Sequence, residues 1–105
     1  MNENKYQQEL KKKIKERIPG CIVLKNDANW LQGFPDFTIL YGDRWATLEI
    51  KKDEASKRQP NQEYYVGLTN EMSYSSFIFP ENEQEVLDEL QRSLRAGRAT
   101  RVSKS

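Results

Sequence analysis

Apolar residues recur every four positions at Tyr6, Leu10, Ile14 and Ile18. That period predicts a helix over 4–18 with one apolar stripe, stopped by Pro19-Gly20. The run Cys21-Ile22-Val23-Leu24-Lys25 reads as a short buried strand. Residues 26–34 form a polar loop holding Trp30 and Gly33. Two β-rich runs follow, Asp36 to Tyr41 and Arg44 to Ile50, separated by Gly42-Asp43. A two-residue linker with glycine between such runs is a hairpin signal. Residues 51–58 are a charged loop, and Pro60 suits the first position of a helix reaching about Thr69. Ser75 to Phe79 reads as a fourth strand. After Pro80, a helix from Glu81 to about Arg95 presents Val86, Leu87, Leu90 and Leu94, with Gly97 as its stop. The order helix, three strands, helix, strand, helix predicts an α/β domain whose sheet is covered by helices.

Composition narrows the chemistry. With 105 residues, one domain is expected. The chain has no histidine, which excludes Ser-His and Cys-His catalysis and imidazole zinc sites. Its one cysteine, Cys21, lies in an apolar run and is read as a small buried hydrophobe. Any metal must therefore be a hard cation on oxygen ligands. The formal charge of +1 hides an asymmetry. Arg95, Arg98, Arg101 and Lys104 stand in a segment without acids, leaving thirteen basic residues against sixteen acids elsewhere. The end of that segment, 97–105, is read as a flexible basic tail, which suits an anionic partner or simply a solvated end. The first helix carries Lys11 and Lys12 among further basic residues, on a face that is either solvated or turned to phosphate. No stretch is apolar enough to span a bilayer and no signal peptide is visible, so a soluble cytoplasmic protein is expected.

The hairpin register carries the argument to a site. If Gly42 and Asp43 form the turn, Tyr41 faces Arg44, and Asp36 stands opposite Glu49. Opposed side chains in an antiparallel pair lie ~4.5–5.5 Å apart at Cβ. Two carboxylates so placed repel unless a cation lies between them. Glu49 and Lys51, two apart on one strand, share a face. Two acids and an ammonium then cluster at one end of the hairpin. The bland alternative is a solvated strand end with a weak ion pair. The chemical alternative is a Mg²⁺ site for phosphodiester hydrolysis, with the lysine stabilising developing charge.

The stretch Gly33-Phe34-Pro35-Asp36, with Leu48-Glu49-Ile50-Lys51, resembles the signature of the PD-(D/E)xK nuclease superfamily. The glycine before Pro-Asp, the hairpin spacing and the downstream Arg58-Gln59-Pro60-Asn61-Gln62 resemble its VRR-NUC family in particular. The resemblance spans roughly residues 3–79 and implies a restriction-endonuclease-like αβββαβ core plus a C-terminal helix, with residues 1–96 as the nuclease domain. It implies Asp36 and Glu49 as ligands of Mg²⁺ or Mn²⁺, the Ile50 carbonyl as a further ligand, and Lys51 as the catalytic lysine. Gln62 would contact the metal-water shell or substrate. The family's acid on the first helix falls on Glu3, with Glu9 as the alternative. Lys57 and Arg58, with Lys11 and Lys12, are candidates for phosphate contact. The implied activity is endonucleolytic cleavage of branched DNA such as Holliday junctions, by a phage-type enzyme in the host cytoplasm. Cutting two strands of a symmetric junction suggests a C2 homodimer. The alternative is a non-catalytic nucleic-acid-binding or interaction module on the same fold.

Overall fold

The computed structural model describes residues 2–104, with side chains from 2 to 95. Helix α1 spans Glu3–Arg17, and Asn2 caps it by accepting from the Lys5 amide at 2.8 Å. The strands are β1 (Ile22–Lys25), β2 (Phe37–Tyr41), β3 (Arg44–Ile50) and β4 (Tyr74–Ile78), with α2 (Pro60–Met72) before β4 and α3 (Glu83–Lys104) after it. They form one mixed sheet in the order β1-β2-β3-β4. The first two pairings are antiparallel, and β3 pairs β4 in parallel, with α2 as the crossover that a parallel pair requires. Gly42 turns the β2–β3 hairpin at φ 61°, which costs glycine nothing. The register runs from Tyr41↔Arg44 to Phe37↔Leu48, as the two-residue turn predicts.

Alternation along β3 divides the molecule into two layers of contact. Ala46, Leu48 and Ile50 join Ile39, Phe37 and Ile78 in a core closed by Tyr6, Leu10 and Ile14 of α1 and by Val86, Leu87, Leu90 and Leu94 of α3. The helices are tied over it by Tyr6, whose hydroxyl donates to Glu83 at 2.9 Å, and by the Arg17–Asp88 ion pair. On the other face, α2 covers only β3 and β4. Val66 packs there with Phe77 and Phe79. Beside them the Thr47 hydroxyl lies within hydrogen-bond distance of those of Ser75 at 2.7 Å and Thr69 at 2.9 Å. These are three buried hydroxyls that satisfy one another.

Two expectations are corrected. The run at Cys21–Lys25 is not a buried strand: Ile22 is 54% and Leu24 45% exposed. β1 is an edge strand, and α2 does not reach across to it. Helix α3 does not stop at Gly97 but continues to Lys104. One glycine costs a helix only ~1 kcal/mol, which does not terminate it. The side chains of the basic segment 97–105 lie outside the described residues. Among the described residues, no helix is long and apolar enough to cross a membrane.

Candidate active site

The β2–β3 ladder ends at Phe37↔Leu48, one step short of Asp36 and Glu49. There the Asp36 side chain takes over from the backbone: its Oδ2 accepts from the Ile50 amide at 2.8 Å. Asp36 is held in this pose by its own loop. Asn26 donates its amide N–H to the Asp36 carbonyl at 2.7 Å, and its Nδ2 to the Pro35 carbonyl at 2.8 Å. Pro35 is fully buried.

Glu49 follows Leu48 on β3, so it faces α2 rather than the main core. It is 3% exposed. Burial is the main cause that pushes its carboxyl from 4.5 to about 8; the charge of Asp36 and a hydrogen bond with its carboxyl act in the same direction, and Lys51 opposes them. Lys51 is also buried, at 8% exposure, and its amide continues the parallel ladder to the Ile78 carbonyl at 2.9 Å. Its Nζ donates to Gln62 Oε1 at 2.8 Å. Gln62 in turn donates through Nε2 to Glu49 Oε2 at 3.2 Å.

Gln62 owes its place to the start of α2. Pro60 occupies the first turn, and the Gln59 amide donates to Gln62 Oε1 at 3.0 Å in a capping box. One amide side chain therefore closes a helix end and bridges Lys51 to Glu49. Asn61, beside it, packs under Gly33. Gly33 has φ 89°, and a Cβ there would stand 2.4 Å from the Asn61 Cβ. Only glycine fits this contact.

Of the two N-terminal acids, Glu3 is the one on which the charges of Asp36 and Lys51 act, but Glu3, Asp36 and Glu49 do not converge at metal distance. Partial burial raises its carboxyl, Asp36 adds to this, and Lys51, Lys25 and Lys52 oppose it. Glu9 instead lies where its charge acts on the Tyr6 hydroxyl. The basic candidates do not all converge. Lys57 and Arg58 are exposed, and the Arg58 guanidinium carbon lies over Phe77, 4.2 Å from the ring centroid. Lys11 lines a groove of about 420 Å³ between α1 and β1 with Gln7, Val23 and Lys25. Eight positions along α1 put it ~12 Å from Glu3, and Lys12 is exposed on the same helix. Sequence reasoning missed Lys25. It also missed Asn26 and the Gly33–Asn61 contact. Lys25 pairs with Phe37, the neighbour of Asp36, a signal legible only once the β1–β2 register is known.

The donor set suits a hard divalent cation. Two adjacent carboxyls, that of Glu49 buried and raised to about 8, would be relieved by a cation, and the Ile50 carbonyl ends the same strand. Among the described residues, no group of three or more histidine, cysteine, aspartate or glutamate side chains converges at metal distance. Mg²⁺ needs only one or two carboxylates, with water and substrate oxygens completing its shell.

Fold and site together define a mixed four-stranded α/β domain with an Asp–Glu–Lys–Gln cluster at one end of its hairpin. No protein-family model, curated protein or solved structure matches the chain.

Proposed function

We propose that the chain is a Mg²⁺- or Mn²⁺-dependent endodeoxyribonuclease of the PD-(D/E)xK type, close to the VRR-NUC family, acting on branched DNA. The observation that carries this reading is the chain of contacts Lys51–Gln62–Glu49 beside Asp36. Four residues meet there, Asp36 just before β2, Glu49 on β3, Lys51 just after it and Gln62 on α2, at costs in burial and repulsion that no core needs. A bound divalent cation supplies charge neutralisation at the scissile phosphate and a lowered pKa for an attacking water. The protein's own share is positional. Asp36 and Glu49 hold the cation, with Asp36 oriented by the Ile50 amide. Lys51 is desolvated and aimed by Gln62, so its ammonium meets developing negative charge without reorganising. Glu3 closes the acidic side, and Lys25 and Lys52 around it offer phosphate contacts.

The test is cleavage of labelled duplex, flap and four-way-junction DNA in Mn²⁺. Lys51→Ala is expected to lose a factor of ~10²–10³ in rate. If the wild type cuts nothing, the chain is a binding module instead; if Lys51→Ala cuts equally well, the catalytic role of Lys51 is wrong. The reading includes a C2 homodimer, supported by the apolar side chains that edge strand β1 leaves exposed. Light scattering at micromolar concentration reads the stoichiometry, and a monomer removes that part.

A further inference from the structure

Trp30 is 90% exposed. An indole carries a large apolar surface that folding normally covers, so a bare one on an ordered loop calls for a partner. The loop is well ordered by its bonds. Asn26 donates to Asp36, Pro35 and Thr38 across its base. Trp30 donates its own amide to the Asp27 carbonyl at 3.0 Å, and Phe34 to Leu31 at 3.1 Å. Gly33 is pressed against Asn61. The Phe34 ring lies 5.7 Å from Tyr65 of α2, which meets Tyr64 edge-on at 5.0 Å. The loop is therefore fastened to Asp36 on one side and to the first turns of α2, beside Gln62, on the other. Those elements carry the candidate active site.

We infer that Trp30 is a stacking residue for an unpaired DNA base within about six nucleotides of the scissile phosphate. The inference rests on the nuclease reading and adds what selects the substrate. Trp30 stands six positions from Asp36, at most ~20 Å of extended chain. That is a span of about six stacked nucleotides at ~3.4 Å each. Positive charge fits the backbone of such a strand: Lys25, Lys51 and Lys52 are all near enough for their charges to act on Glu3. Every base presents a π face, so the contact is tolerant of sequence. In duplex DNA those faces are already stacked. Trp30 thus favours flaps, junction arms and single strands over plain duplex.

The chain has two tryptophans, so a Trp45→Phe background leaves Trp30 as the sole indole. Titrating it in EDTA with a 12-nucleotide oligothymidylate is expected to quench its emission, whereas a duplex of equal length is not. Should Trp45→Phe fold poorly, the difference between wild type and Trp30→Phe reads the same signal. Trp30→Ala is expected to weaken single-strand binding ~10–100-fold and leave the melting temperature unchanged. Absence of quenching, or equal binding by Trp30→Ala, overturns the inference. So does a blue shift that tracks protein concentration without DNA, the sign of a second copy covering the indole. A parallel cleavage series in Mn²⁺ separates the two ideas. If the wild type cuts no DNA, the nuclease reading fails. If it cuts and Trp30→Ala keeps the same preference for flap over duplex, stacking by Trp30 fails alone.

Discussion

Replacing Glu49 by glutamine removes the ionisable group that the fold holds most unfavourably. Its carboxyl stands at about 8 against an ordinary 4.5, mainly because it is buried, then because Asp36 is adjacent. A carboxyl raised by folding contributes its full stability below 4.5 and loses it as pH rises towards 8. Across that interval the unfolded chain has released a proton that the folded chain still holds. Each pH unit then withdraws ~1.4 kcal/mol from folding, ~3 kcal/mol by pH 7 and ~5 kcal/mol when the loss is complete. Rotation of Gln62 and entry of water relieve part of this, so Glu49→Gln is expected to stabilise the chelated protein by ~2 kcal/mol at pH 7. The glutamine still accepts from Gln62 and can donate to Asp36, so no buried polar atom is orphaned. The assay is urea unfolding in EDTA at pH 5, 6, 7 and 8, followed by circular dichroism. Wild type should weaken steadily over that range while Glu49→Gln stays nearly flat, with little difference at pH 5. Parallel pH profiles, or a variant less stable than wild type at pH 8, would refute the claim that Glu49 is a buried acid held against its ionisation.

The same site should respond to metal. At a hundredfold excess over Kd, Mn²⁺ should stabilise the wild type by ~2.7 kcal/mol, a rise of ~10 °C or more in Tm. The Asp36→Asn, Glu49→Gln double variant should show no rise, and an equal rise in both would place the cation elsewhere. Gly33→Ala should cost ~2–4 kcal/mol, because its φ of 89° and its 2.4 Å approach to Asn61 both penalise a Cβ. A urea midpoint equal to wild type would show that the loop does not need this contact.

Local patterning determined a good deal. The four-residue period set the buried face of α1, and Pro60 marked the first turn of α2. Gly42-Asp43 set the hairpin register, since a two-residue turn leaves one pairing and the pleat then decides which side chains meet. From that register alone, Asp36, Glu49 and Lys51 fall together. These are short-range consequences of backbone geometry. What the chain could not express locally was which surfaces cover which. Cys21–Lys25 reads as core by its apolar content, yet Ile22 and Leu24 are exposed because α2 covers only the far half of the sheet. Glycine at position 97 signals a stop that α3 does not take. The depth of Glu49 exists only because α2 closes over β3, and the same packing turns Gln62 from a helix residue into the bridge between Lys51 and Glu49. Lys25 and Lys52 gather around Glu3 through pairings distant in sequence. The site residues are a property of the sequence. Their burial, the raised carboxyl of Glu49 and their partners belong to the tertiary structure, because desolvation and long-range contact arise only when separate elements pack.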